Sequence, residues 1–232
     1  MTLSIFNYDN VTIKRVMLAP MAKSVAEKPY HHGSLGPALL RAVAELIVEK
    51  GIEALSLREC ARRAGASWSA PAHHFGDKTG MLTAFAVAGF AQLKAHMEAR
   101  RDAGPDAAAR ALAVGEGYLE FALRNPGHYR VMFRAELLSK DDREYRLASR
   151  AAFQVLEDAI RECEAATGSV DESTLHQRCV LAWCAVHGFA TLCLEGAIDI
   201  PGRGAKARQR AGLELGASLL RLLGPSLFPW QQ

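Results

Sequence analysis

The residues with the most chemistry to offer are histidines and thiols, and their spacing does not assemble a catalyst. His31-His32 and His73-His74 are adjacent pairs, and adjacent positions do not share one face of a helix, so neither pair reads as a metal site. Cys184 and His187 stand three apart and do share a face, with Cys179 upstream and Cys193 nine positions beyond Cys184. A thiol or metal sensor would use such groups, but buried cysteines more often serve as small packing residues. The sequence contains no nucleophile–base–acid set, phosphate-cradling glycine loop or metal quartet. The expectation is a protein that is not an enzyme and that holds no cofactor and no metal.

A second kind of chemistry is recognition of a polyanion, and there the totals say only that positive charge must be local. The 232 residues carry a formal net charge of +3. Half of them are apolar, enough for a core, and the length suits two helical units. Five cysteines, an odd number with no disulfide framework, point to a reducing compartment, so a cytoplasmic location is expected. In residues 1–21, Lys14 and Arg15 follow the weakly apolar stretch instead of preceding it, which is the wrong order for a signal peptide. Residues 1–30 are expected to be a loose extension. The longest apolar run, residues 179–194, is broken only by His187 and Thr191. It falls short of the roughly 20 residues that cross a bilayer, so no membrane partner is expected.

The elements that must position any reading or binding residue are helices. Helical periodicity runs through nearly the whole chain and no stretch alternates like a strand, so the fold class is all-α. Leu35, Leu39, Val43, Leu46 and Ile47 make one apolar face, ended by Gly51. Ser56-x-x-Glu59 has the form of a capping box that opens a second helix at Leu57, and Gly65 ends that helix. Ser67 is the expected cap of a third helix reaching about His74, and Asp77 the cap of a fourth reaching about Arg101. Beyond the Gly104-Pro105 break, the pattern predicts helices over 106–124, 128–138, 142–166, 171–195 and 205–223, the last stopped by Gly224-Pro225.

Residues 55–75 (LSLRECARRAGASWSAPAHHF) meet the requirements of a helix-turn-helix. Ala61 is small enough for two short helices to cross closely, Gly65 tolerates the positive φ of the turn, and Cys60, Ala64 and Ala66 supply apolar contacts. The second helix of such a pair presents its N-terminal residues to the major groove. Residues 35–82 resemble the DNA-binding domain of the TetR family, through Ala64-Gly65-Ala66-Ser67 and His73-His74-Phe75-Gly76-Asp77-Lys78. Tyr30-His31-His32-Gly33-Ser34-Leu35 and Ala70-Pro71 resemble one branch of that family. Trp183-x-x-x-His187-Gly188 matches the W-H-G pattern that some members carry in the C-terminal domain, and Asn125-Pro126 with Tyr129-x-x-Met132-Phe133 fits the same branch. The resemblance covers nearly all of the chain after residue 30. It implies an N-terminal three-helix helix-turn-helix DNA-binding domain over 31–80, a C-terminal helical regulatory and dimerisation domain over 81–225, and a tail over 226–232. It also implies a transcriptional regulator, by family habit a repressor. Such a protein binds a palindromic operator in double-stranded DNA as a homodimer and responds to a small-molecule effector.

Arg58, in the first turn of the second helix, matches a DNA-touching position of the family, and an arginine there can reach a phosphate or a guanine edge. Ser56 caps its helix and is also within reach of a phosphate. Ser67, Trp68, Ser69 and Ala72 are expected on the exposed side of the recognition helix, with His73 beside them. His74 and Lys78 match phosphate-contacting positions, and at Lys78 a helix N-terminus adds its own attraction for an anion. Phe75 is expected in the core. Two positions depart from the family pattern: Ala72 stands where a phosphate-touching tyrosine is usual, and Gly36-Pro37 where an arginine is common. Lys23 and Lys28 in the extension are an alternative source of positive charge.

In the C-terminal domain Tyr118, His128, Tyr129, Met132, Phe133, Trp183 and His187 are the candidate lining of an apolar effector cavity, with plain core packing the competing reading for each. The helix opening at Asp171 is apolar all round, and the final helix carries Gly212-x-x-x-Gly216 with Leu215, Leu219 and Leu222. Small residues at that spacing let helices approach closely, so these two helices are expected to form a four-helix interface between subunits. The rival to a ligand-responsive regulator is a DNA-bound factor acting through a protein partner. A solid core would favour that rival, an enclosed cavity the effector.

Overall fold

The computed structural model describes residues 35–227 apart from 167 and 169. The extension over 1–30, the motif at 30–34, Lys23, Lys28 and residues 228–232 of the tail lie outside the described residues. The α-helices are α1 Leu35–Lys50, α2 Leu57–Ala64, α3 Ala70–Phe75, α4 Lys78–Arg101, α5 Ala107–Arg124, α6 Pro126–Met132, α7 Arg143–Ala165, α8 Glu172–Leu194 and α9 Ala205–Leu227, with a 3-10 turn at Ala135–Leu137. No strand occurs among the described residues. The chain divides into two compact units, Met1–Met81 and Leu82–Gln232.

In the first unit α1 buries Leu39, Leu40, Val43, Leu46 and Ile47, and Gly51 closes it at φ +82° with its N–H on the Ile47 carbonyl. Ser56 caps α2 by accepting the Glu59 N–H at 3.2 Å. The reciprocal half of the capping box is not made, because the Glu59 carboxylate is taken by Arg62 and Arg63 instead. At the other end Gly65 lies in the left-handed region (φ +66°), and the Gly65 and Ala66 N–H groups reach back to Arg62 and Ala61. That doubly bonded ending satisfies two orphan carbonyls and turns the chain sharply. Arg63 then ties α2 to α1 by donating to Glu49 at 2.9 Å.

Three expectations change here and beyond. Ser67 does not cap α3: its carbonyl accepts the Ala70 N–H, so residues 67–70 form a turn and the helix begins at Ala70, with Pro71 in its first turn. α6 begins at Pro126, whose fixed φ suits a first helical position, and ends at Met132 instead of reaching Leu138. α9 runs through Gly224-Pro225 to Leu227, past the expected stop at Leu223, and Pro225 costs its last turn one intrahelical bond. Asp77, Asp106, Asp142 and Asp171 each cap the helix that follows by accepting a backbone N–H.

The second unit packs α6, α7, α8 and α9 around α5. Close approach is built from glycines. A Cβ on Gly117 would lie 2.7 Å from the His96 carbonyl oxygen and 2.8 Å from the Met97 Cα, so α4 touches α5 backbone to backbone. One on Gly115 would meet Leu220 of α9 at 2.9 Å. Gly216 faces Leu119 and Phe189, and Gly212 faces Leu123, which corrects the expected role of that pair. They seat α9 on α5 and α8 of the same subunit and do not face outward.

The contrast between two helical glycines is testable. Alanine normally favours a helix by about 1 kcal/mol over glycine. At Gly117 the obstacle is backbone, which cannot swing aside, and overpacking of about 1–3 kcal/mol outweighs that gain. Gly117→Ala should therefore lower the free energy of urea unfolding. Gly188 has nothing of its own subunit within 4 Å of a Cβ, so the same change there should not weaken the subunit's own fold.

Candidate functional site

The exposed side of the helix-turn-helix is small and mixed in charge. Residues 35–81 hold six basic and five acidic side chains, so a polyanion would be held by placement rather than by bulk charge. Arg62 and Arg63 are engaged by Glu59 and Glu49, and the Arg62 hydrogen bonds, with its charge, hold the Glu59 carboxyl down at about 2. Arg58 stands exposed in the first turn of α2, beside Ser56. Trp68 is 80% exposed in the turn before α3, and Ser67, Ala72 and His73 are exposed with it, whereas Ser69 is half-buried. Phe75, expected in the core, is also only half-buried.

Two anchoring candidates have partners within the unit. Lys78, half-buried at the start of α4, donates to the Ile52 carbonyl at 3.4 Å. The exposed His74 ring lies over Gly36, where a Cβ would come within 2.7 Å of its Nε2, and meets Phe75 edge-on at 4.5 Å. Gly36, one of the two departures from the family pattern, is thus what gives the imidazole room beside α1.

The second unit contains a cleft of about 180 Å³ lined by Phe90, Leu93 and Met97 of α4, Tyr118 of α5, Phe133, five residues of α7 (Tyr145, Ser149, Ala152, Phe153, Leu156) and Trp183 of α8. A much smaller space of about 30 Å³ shares Met97, Tyr118, Leu156 and Trp183 with it and extends to Gly115, Val186 and Leu220. Of the expected lining residues, Tyr118, Phe133 and Trp183 face the cleft. Tyr129 and His187 stand behind Tyr118. The Tyr118 hydroxyl is 2.8 Å from His187 Nδ1, and the Tyr129 hydroxyl donates to the His187 carbonyl at 2.9 Å and lies 2.9 Å from Thr191 Oγ1. Burial lowers the His187 pKa and so favours the neutral ring, whose Nδ1 pairs with the Tyr118 hydroxyl.

His128 and Met132 do not line the cleft. Gly89 of α4 leaves the space that Met132 and the His128 Cβ occupy, and His128 stacks on Phe85 with ring centroids 4.0 Å apart. The lining residues missed from sequence, Phe90, Leu93 and Met97, repeat at helical spacing, as do Tyr145, Ser149, Ala152 and Leu156. That periodicity marks one face of each helix but does not say whether the face is filled.

The thiols do not gather. Cys184 is exposed, whereas Cys60, Cys163 and Cys179 are buried, and burial pushes Cys179 up to about 11, leaving it protonated. Among the described residues no group of three histidine, cysteine or acidic side chains is arranged to hold a metal.

Residues 39–85 match the family of bacterial regulatory proteins called tetR, and residues 111–215 match the tetracyclin repressor-like C-terminal domain. A solved protein of unknown function from Rhodococcus sp. RHA1 is 30% identical over 85% of this chain and 100% of its own, with a TM-score of 0.67. PfmR, a TetR family transcriptional regulator from Thermus thermophilus, is 19% identical over 79% of this chain and 97% of its own, TM-score 0.60. FadR, a fatty acid degradation regulator from Bacillus halodurans, is 11% identical over 79% and 96%, TM-score 0.61. The last two share the fold. Among curated proteins none matches.

Buried His128 makes the second unit acid-sensitive. Burial holds its pKa down at about 4 against an ordinary 6.5. Between those values the unfolded chain takes up a proton that the folded chain refuses, so this contribution is complete above pH 6.5 and is lost as pH falls toward 4. Its size is of order 3 kcal/mol. His128→Phe keeps the stack on Phe85 and cannot titrate. Urea unfolding at about pH 7.5 and about pH 4.5 should show a smaller loss for this variant than for the parent.

Proposed function

The chain belongs to the TetR family of DNA-binding transcriptional regulators, not to an enzyme family, and from that premise we propose a homodimeric repressor released from a palindromic operator by a small molecule. Its Trp183, His187 and Gly188 favour the branch with the W-H-G pattern, and the cytoplasm, where the operator is, is the expected location.

The observation that carries the DNA-reading role is the exposed set Arg58, Trp68, Ala72 and His73 around the α2–α3 turn. Arg58 and Trp68 are the base readers in this proposal, and the Trp68 ring suits a thymine methyl. Ser56, Ser67, Ser69, His74 and Lys78 contact phosphate, Lys78 by leaving the Ile52 carbonyl. The effector reading is supported by the cleft that Tyr118, Phe133 and Trp183 line, with Tyr129 and His187 holding Tyr118 from behind. The dimer is supported by outward leucines: Leu181 and Leu192 on α8, and Leu215, Leu222 and Leu223 on α9. α8 is long and apolar enough to span a bilayer by length and composition, and a partner subunit accounts for the same apolar surface.

An effector acts only through unequal affinity for two conformations, typically about 1–3 kcal/mol of coupling. The two reading heads of a dimer must enter major grooves about 34–36 Å apart, so a small change in separation is enough to release DNA.

Reading and anchoring separate experimentally. On DNA flanking the chain's own gene, Lys78→Ala should weaken binding to all sequences and reduce the log–log salt slope by about two per dimer. Arg58→Ala should instead relax preference at one symmetric pair of bases, by about 1–3 kcal/mol. Gel shifts at several salt concentrations on an operator and its single-base variants decide this. A Lys78 variant with altered base preference and an unchanged slope would reverse the assignment.

The dimer has its own test. Leu181→Glu with Leu222→Glu places two charges on the outward faces of α8 and α9, and sedimentation should then show a monomer that retains its helical content. A normal dimer from this variant would move the interface elsewhere.

A further inference from the structure

The cleft is a site of unusually uniform chemistry. Neither it nor the adjoining space has a charged side chain in its lining. Six of its lining residues are aromatic: Phe90, Tyr118, Phe133, Tyr145, Phe153 and Trp183. They hold one another near edge-to-face, with Phe90 5.6 Å from Phe133 and 5.8 Å from Tyr145, and Trp183 6.1 Å from Phe153. An occupant therefore meets ring faces and edges already oriented by their neighbours.

The polar groups are three hydroxyls and the Trp183 indole N–H, and each already has a partner, the indole pairing with the Tyr118 hydroxyl. Tyr118 is bonded to His187, Tyr145 donates to the Met132 carbonyl at 3.4 Å, and Ser149 donates to the Arg146 carbonyl at 3.1 Å. Tyr145 and Ser149 point their hydrogens at backbone carbonyls, and the Tyr118 hydroxyl and the indole N–H are taken up by neighbours, so what these groups offer a ligand is mainly lone pairs. They can accept from a neutral donor, and no set of free donors converges on an anion. Arg150 has its guanidinium carbon 5.8 Å from the Phe153 ring centroid, but it does not line the cleft and is paired with Glu157 at 2.9 Å.

A buried charge needs a countercharge or several donors, and an anion would find neither here. A cation would gain from the ring faces, but that attraction does not match the loss of its hydration without an acidic partner. From this lining we infer that the effector is an uncharged, largely aromatic molecule carrying at most a hydroxyl-type hydrogen-bond donor. The inference rests on the cleft being the effector site.

Three probes of one shape test it at neutral pH: 2-naphthol, 2-naphthoate and 2-naphthyltrimethylammonium, titrated calorimetrically into the full chain. 2-Naphthol should bind at least tenfold tighter than either charged analogue. Ser149→Lys, which adds a cation to the lining, should shift preference toward 2-naphthoate by about tenfold, and Ser149→Glu toward the ammonium. If a charged analogue binds tightest to the parent protein, the ligand class is wrong while the cleft remains a ligand site. If 2-naphthol binds tightest but folded Ser149 variants leave the ranking unchanged, the probe sits elsewhere and the inference fails. If none of the three binds the folded parent, the cleft is not the effector site and both readings fall. The ranking on the parent protein decides the ligand class even where a variant does not fold.

Discussion

The second unit depends on α5 having no free side. Consecutive positions on a helix point about 100° apart, and from 115 to 121 nearly every one meets a different neighbour. Gly115 admits Leu220, Gly117 admits the α4 backbone at His96 and Met97, and Tyr118 reaches His187 of α8. Leu119 fills the space left by Gly216, Glu120 pairs with Arg100 and Arg124, and Phe121 meets the His96 ring at 5.8 Å. A helix enclosed in this way must be thin where its neighbours' backbones or branched side chains come closest. Glycines sit where α4 and α9 make that approach.

Closure on those sides leaves the space on another. Where α4, α7 and α8 come together the contacts are made by large, flat side chains that brace one another edge to face and cannot collapse into the gap between them. The gap persists because the rings are rigid and the helices that carry them are already fixed through α5. Tyr118 belongs to both arrangements. Its backbone is locked in the buried helix, its ring borders both spaces, and its hydroxyl is tied to His187. The residues of α8 that face this region, Trp183 and His187, alternate along the helix with Leu181, Cys184 and Leu192, which face out. An occupant that moves the Trp183 ring therefore acts on the helix whose other face is proposed to meet a second subunit. The proposed effector site and the proposed dimer face would then be two sides of one element, a simple physical basis for coupling between them.

Helix ends were the most legible part in the sequence, because the interactions that make them are local. Asp77, Asp106, Asp142 and Asp171 bond to backbone two or three residues away, and Gly65 turns the chain by its own conformation, so no tertiary knowledge was needed. Ser67 misled because capping type is necessary but not sufficient. A serine whose carbonyl enters a turn at Ala70 has the right side chain two positions too early, since Ser69 stands at the cap. Gly212 and Gly216 misled differently. Their spacing promises close helix approach, but a sequence does not name the partner, and Leu119, Leu123 and Phe189 of the same subunit claim the space. The cleft was legible only in part for a similar reason. Tyr118, Phe133 and Trp183 stood out by type and by family resemblance, whereas Phe90, Leu93, Met97 and the α7 residues looked like any core-facing stripe. A cavity is a failure of faces to meet, and no single face records it.

The first unit raises a different question: how so weakly charged a surface grips a polyanion. Arg62 and Arg63 commit their charge to Glu59 and Glu49, which fastens α2 to α1 and withdraws two cations from the reading face. The same surface lacks the tyrosine that family members place at 72, and Gly36 has traded a basic residue for room beneath His74. What the surface gains is Trp68, whose large ring stands almost fully in solvent in a unit whose described leucines and isoleucines are all buried or half-buried. Fewer phosphate contacts make binding less sensitive to salt, and an exposed indole in the proposed role of base reader would make it more sensitive to sequence. On this view the departures from the family pattern form one exchange, in which non-specific attraction is reduced and the difference between a correct and an incorrect operator is enlarged.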